Sequence, residues 1–251
     1  MFSAAEGVLT NISYAISVRR MNCILLWMIL LLLSPCAGFS ADIAGVVHVQ
    51  PKLSEAEYQK QMRGLKQDDV YKVQGVQRFD YKTAAANVVV YVEEVKGDFT
   101  PPAQNPRIVQ KNASFDQPVL PVLVGTTVDF PNSDNIFHNV FSFSKIKPFD
   151  LGLYKSGASK SITFTRPGQV TVYCSIHRSM KADILVLQNP FFAVTDPKGN
   201  FKIAGVPEGK YKLLAWHERF PEAEAAVEVP KDAAEVRAEL TLGVLDLPEI
   251  K

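Results

Sequence analysis

Residues 168–187 read GQVTVYCSIHRSMKADILVL, and the reading of this stretch decides the fold. Alternation in QVTVYC puts Val170, Val172 and Cys174 on one face and Thr171 and Tyr173 on the other, the period of a half-buried strand. A second apolar run, ADILVL at residues 182–187, follows. Between them SIHRSM leaves Cys174, His177 and Met180 three places apart on a connection short enough to wrap a point. A free cysteine on a valine face is usually a small buried hydrophobe. A thiol with an imidazole and a thioether beside it is equally a set of metal donors. A further histidine, His138, lies in another turn, SDNIFHNVFS at residues 133–142.

Working outward, short segments rich in Val, Phe, Tyr and Thr recur from residue 41 onward, among them IAGVVHV, ANVVVYVEEV, PVLPVLVGTTVDF, NVFSFS, SITFT, FFAVT, NFKIAGV, YKLLAWHE and EVRAELTLG. Gly, Pro, Asn and Asp turns separate them at close intervals, so the chain reads as all β, in antiparallel sandwiches or barrels. The exception is SEAEYQKQMRGLKQ, residues 54–67, which reads as a short surface helix capped by Ser54 or as a long polar loop. Prolines 101, 102 and 106 mark one boundary, and Asn189 with Pro190 another. They divide the chain into residues 41–103, a domain-sized 104–189, and 190–251.

The first forty residues stand apart. Arg19 and Arg20 precede the eleven-residue apolar run CILLWMILLLL, followed by Ser34, Pro35 and a small-residue stretch to Ser40. That order is a secretory signal, with cleavage expected near Ser40. A retained membrane anchor needs about 20 apolar residues, and a lipid on Cys36 would have to tolerate Pro35. The expectation is therefore a periplasmic or secreted protein with no stable membrane span after cleavage. Two of the 27 basic and one of the 26 acidic residues lie in this segment, leaving 25 of each sign beyond it. No basic field for nucleic acid remains. Cys23 and Cys36 leave with the segment, so Cys174 has no internal disulfide partner.

One thiolate, two imidazoles and a thioether form the His₂Cys set with a weak axial methionine that suits copper in electron transfer. Zinc accepts the same donors, but its structural sites usually offer several thiolates. On VGTTVDFPNSD, FHN and PGQVTVYCSIHRSM, residues 108–187 resemble the cupredoxin family of blue copper proteins, most similar to its amicyanin and plastocyanin group. The resemblance implies a Greek-key β-sandwich holding one copper on His138, Cys174, His177 and Met180. It also implies that Asn139 ties the two ligand-bearing loops together, and that His177 presents its edge among Phe137, Phe141 and Phe143, where a redox partner protein docks. The same family stands beside amine-oxidising systems, which makes this a methylamine-utilisation-type protein by resemblance.

The flanks carry a second likeness. TDPKGNFKIAGVPEGKYKLLAWHE, residues 195–218, resembles a carboxypeptidase regulatory-like domain, a small immunoglobulin-like or transthyretin-like sandwich also grouped with starch-binding-like folds. ADIAGVVHV and ANVVVYVEE look like its opening strands, so the central segment would be an insertion within it. Trp216 reads as core, with contact to a glycan as the competing reading, and His48 and His217 read as ordinary histidines. The function expected from the sequence is exported one-electron transfer without enzymatic activity. Copper delivery or storage, or a surface protein whose flanking domain binds carbohydrate or a protein, are the alternatives. A copper oxidase or reductase needs a second copper centre, and the chain has four histidines, two already assigned.

Overall fold

The computed structural model describes residues 39–49 and 85–243. Residues 1–38 of the expected signal and the helix-or-loop segment 54–67 lie outside the described residues. Among the described residues the chain is all β, with no helix, and no helix long and apolar enough to cross a membrane.

Sixteen strands form among the described residues: β1 Ser40–Val49, β2 Val89–Val92, β3 Gln110–Lys111, β4 Ser114–Phe115, β5 Val119–Leu123, β6 Thr127–Pro131, β7 Phe141–Ser142, β8 Phe149–Asp150, β9 Ser159–Thr163, β10 Gly168–Tyr173, β11 Lys181–Leu187, β12 Phe192–Val194, β13 Asn200–Pro207, β14 Gly209–His217, β15 Phe220–Val229 and β16 Glu235–Leu242. Strands β1 and β2 pair with β12 to β16, in sheets ordered β13-β1-β16 and β12-β2-β14-β15. Strands β3 to β11 pair among themselves, as β5-β11-β10-β7-β8, β6-β9 and β3-β4. Chain segments distant in sequence thus close one pair of sheets, while the middle of the chain builds its own.

Each set has its own core. Ile43, Val47, Ile203, Leu240 and Leu242 from the three-stranded sheet meet Val90, Val92, Leu213, Ala215 and Val229 from the four-stranded one. In the middle segment, Val128 and Phe130 of β6 pack with Phe164 against Val170, Val172, Ala182, Ile184 and Val186 of β10 and β11. Full burial stabilises each such large side chain by roughly 1.5–3 kcal/mol. Strand β11 is buried on both faces for a reason: its even residues enter this core, while Leu185 and Leu187 join Val89 and Val119 in a smaller cluster against Tyr91, Phe192 and Trp216. Trp216, which reads as core, packs against this cluster at the junction between the two sets of sheets and is half-buried there. Asn189 locks the passage from β11 to β12, donating to the Val92 carbonyl at 2.9 Å and accepting from the Phe191 amide at 3.0 Å.

The parallel pairing of β1 with β16 depends on Gly45, which sits opposite Ala238. A Cβ there would stand 1.8 Å from the Ala238 carbonyl oxygen, so only glycine admits the neighbouring backbone.

Candidate metal centre

Strand β10 delivers Cys174 to one end of the central core. Val170, Val172 and Cys174 are buried in one cluster while Thr171 and Tyr173 are only partly covered, the alternation that QVTVYC dictates. The strand ends at Tyr173, and the chain folds back at once: the Met180 amide donates to the His177 carbonyl at 3.0 Å, and the Cys174 amide to the Met180 carbonyl at 3.4 Å. Met180 is fully buried in the same cluster as Cys174.

His138 arrives from the turn before β7. Its backbone is clamped to Tyr154, with His138 N–H donating to the Tyr154 carbonyl at 3.2 Å and Tyr154 N–H to the His138 carbonyl at 2.8 Å. Tyr154 is held in turn: its hydroxyl donates to the Phe130 carbonyl at 2.8 Å and accepts from Gln110 Nε2 at 2.5 Å. Asn139 spans the two loops. Its Oδ1 accepts from the Ser175 amide and the Ser175 hydroxyl, both at 2.8 Å, and its Nδ2 donates to Asp150 at 3.3 Å.

Cys174 Sγ lies 3.8 Å from His138 Nδ1 and 3.9 Å from His177 Nδ1, and the three donor atoms fall within 4.8 Å of one another. A first-row ion with a sulfur at about 2.3 Å and nitrogens at about 2.0 Å sets S···N edges near 3.7 Å when the three donors surround it evenly. The spacing fits an ion between the donors. The donor types fit as well: a single thiolate with two imidazoles and a buried thioether nearby matches copper better than a closed zinc site.

The sulfur lies among hydrogen-bond donors. Burial favours the neutral thiol, but the backbone N–H groups of Asn139, His177 and Ile176, with the His177 ring, outweigh it and bring Cys174 down to about 6. A thiolate is the metal-binding form. His138 and Cys174 are buried, whereas His177 is partly exposed. Ile136 and Phe137, just before His138 in the chain, and Ile176, just before His177, stand about half exposed, and Phe143 is more exposed still. Phe143 stacks edge-on against Phe141, which in turn lies beside Tyr173.

His48 is a surface residue 3.9 Å from Glu239 on β16, and His217 lies against Phe220 in the β14–β15 hairpin. Neither joins the cluster, which is the one group of three or more His, Cys, Asp or Glu donors of this kind among the described residues. The hairpin does reach β11 by other means: Lys181, next to Met180, pairs with Glu218 and with the buried Asp183.

Two supports of the site were not legible in the sequence. The hairpin β3–β4 turns at Asn112 and Ala113, both with positive φ (56° and 52°). Two-residue strands are too short for any periodicity to show. Asp134 is the other: it accepts from the amides of Asn112 and Ala113 and from His138 Nε2. The Ala113 amide in particular, with the His138 ring, holds its carboxyl below the usual range against the opposing effect of burial. Its only signal was a spacing of four before His138 in a stretch that reads as an exposed turn.

No family model and no curated protein matches the chain. Among solved structures it is similar to an oxidised amicyanin variant, at 25% identity and a TM-score of 0.31, covering 33% of this chain and 81% of that one. It is also similar to a copper-containing nitrite reductase from Thermus scotoductus, at 29% identity and a TM-score of 0.34, covering 39% of this chain and 25% of that one. A purple cupredoxin from Nitrosopumilus maritimus aligns at 23% identity and a TM-score of 0.30, covering 33% of this chain and 99% of that one.

Proposed function

We propose that the protein is an exported electron carrier with a mononuclear copper centre on His138, Cys174, His177 and Met180. The observation that carries this reading is the donor triangle itself: one thiol and two imidazole nitrogens, contributed by two loops, at S···N distances of 3.8 and 3.9 Å. A copper ion in that triangle would supply one-electron exchange between Cu(II) and Cu(I).

The chain's own part is to keep the donors still and dry. Asn139 fastens the loop of His138 to the loop of Cys174, and Tyr154 fixes the His138 backbone. The buried core behind Met180 excludes water from one side. Donors that hold their places lower the rearrangement that accompanies a change of metal charge. His177 is the donor nearest the surface, its ring 4.9 Å from that of His138, and the exposed apolar Ile136 and Phe137 before His138 and Ile176 before His177 offer surface that a redox protein can cover without desolvating charge.

In this reading residues 104–189 are the copper domain, inserted into an immunoglobulin-like sandwich of the carboxypeptidase regulatory type formed by residues 41–103 and 190–251. The pairing of β1 and β2 with β12 to β16 supports that division. Residues 1–40 direct the chain to the periplasm or the exterior. Trp216 packs in the junction beside β11, which favours an architectural role for it over glycan contact.

X-ray absorption and voltammetry on the copper-loaded protein test the reading together. The expected result is one short sulfur and two nitrogens about each copper, with a reversible one-electron couple and full metal retention. Release of copper on each reduction would instead assign the same residues to copper delivery.

A further inference from the structure

Asp134 stands four residues before His138, and its Oδ2 accepts from His138 Nε2 at 2.8 Å. Both side chains are withdrawn from water, His138 completely and Asp134 to 13% exposure. A neutral imidazole carries one hydrogen, so a ring that donates through Nε2 keeps its lone pair on Nδ1. Nδ1 is the atom that faces Cys174 Sγ at 3.8 Å. Had the hydrogen been on Nδ1, the ring would turn a donor toward the place where a metal needs a lone pair.

The carboxylate is itself held from the opposite side. Its Oδ1 accepts from the Asn112 amide at 2.6 Å, and its Oδ2 from the Ala113 amide at 2.8 Å. These amides belong to the two central residues of the β3–β4 turn, both in the left-handed region at φ 56° and 52°. That conformation is unfavourable for alanine, which has a Cβ, and backbone strain of this kind persists where surrounding contacts impose it. Here the strained turn aims two adjacent amides at one carboxylate. The Asp134 amide is fixed too, donating to Asn132 Oδ1 at 3.0 Å, while Asn132 Nδ2 donates to the carbonyls of Ile136 and Tyr154.

We propose that Asp134 is a positioning residue of the metal centre: gripped by the amides of the β3–β4 turn, its carboxylate locks the His138 ring with Nε2 protonated and Nδ1 aimed at the metal position beside Cys174. The inference rests on the copper reading for its metal and on the geometry alone for the ring. An ionised acceptor behind an imidazole also makes that imidazole a stronger donor, and the stronger donor stabilises Cu(II) over Cu(I).

Two measurements separate this inference from the copper reading. In the metal-free protein, ¹⁵N NMR of the imidazoles should find His138 in the single Nε2–H tautomer, and Asp134→Ala should convert it to a mixture. In the copper-loaded protein, Asp134→Ala should weaken Cu(II) binding by about 10–100-fold. Asp134→Asn keeps the size and one acceptor oxygen, so it serves if the alanine variant does not fold. It should weaken Cu(II) relative to Cu(I) by about tenfold, a rise in reduction potential of about 59 mV. Ala113→Gly, which relieves the turn but keeps its amide, should leave both tautomer and potential unchanged. An unaltered tautomer in a folded Asp134→Ala protein, or wild-type potential in Asp134→Asn, would overturn the proposal. A wild-type protein that takes up no copper defeats the copper reading, and the metal-free tautomer then still decides what Asp134 does to His138.

Discussion

Replacing Asn139 by alanine should unfasten the two loops that carry the donor triangle, and the size of the loss follows from the contacts. Asn139 is 3% exposed. Its Oδ1 takes two hydrogen bonds of 2.8 Å from Ser175, and its Nδ2 gives a longer one of 3.3 Å to Asp150. Each short bond contributes about 1 kcal/mol net and the long one about half as much, so the substitution should cost about 2–3 kcal/mol. The Ser175 side is exposed, so water can satisfy the freed amide and no full desolvation penalty is added. With a urea slope of about 2 kcal/mol/M, the unfolding midpoint of the metal-free protein should fall by about 1–1.5 M. Ser175→Ala removes only the hydroxyl contact and should cost about 1 kcal/mol. The double variant should then cost less than the two singles together, by about 1 kcal/mol, since both delete the same bond. A loss below about 0.5 kcal/mol for Asn139→Ala, or strict additivity in the double variant, would refute the reasoning that this carboxamide fastens the loops.

Three further outcomes are expected. Met180→Ala should destabilise the metal-free protein by about 2–5 kcal/mol by leaving a cavity in the central core, whereas Met180→Leu should cost less than about 1.5 kcal/mol; equal losses in urea unfolding would contradict the packing described. The Cys174 thiol is depressed to about 6 from the ordinary thiol range of about 8.5–9, so its contribution to stability is fully present above about pH 9, diminishes as the pH falls, and is gone below about pH 6. Urea midpoints between pH 5 and 9 should therefore rise more steeply in the metal-free wild type than in Cys174→Ser, and parallel profiles would count against a depressed thiol. Gly45→Ala would force a Cβ against the Ala238 carbonyl and should cost at least about 2 kcal/mol; thermal unfolding at wild-type temperature would exclude that close approach.

The strands that sequence reveals best are those with one wet and one dry face. QVTVY alternates because β10 has such faces, and the pattern sets Cys174 on the same face as Val170 and Val172, the face that the structure buries. ADILVL shows no alternation because β11 is buried on both sides, and periodicity alone does not tell what covers the second face. The answer, Val89, Phe192 and Trp216 from remote segments, depends on tertiary contacts. The same holds for β1 with β16, residues 40–49 beside 235–242 in parallel, where no turn signal links the partners.

The candidate site divides in the same way. Thiol, imidazole and thioether are chemically rare enough that His138, Cys174, His177 and Met180 stand out by type and spacing. Asp134 does not, because an aspartate in SDN is common turn chemistry. The carboxylate that meets His138 is also held by two amides of the β3–β4 turn, whose two-residue strands leave no periodicity to read. Gln110, fully buried behind Tyr154, is hidden for the same reason.

The central claim is that Cys174, with His138 and His177, binds copper through a thiolate. Titrating Cu(II) into the purified metal-free protein tests it most directly. One equivalent should develop an intense visible thiolate-to-copper band that saturates at one copper per chain and is absent from Cys174→Ser. A colourless wild-type protein whose Cys174 still titrates freely with a thiol reagent would contradict it.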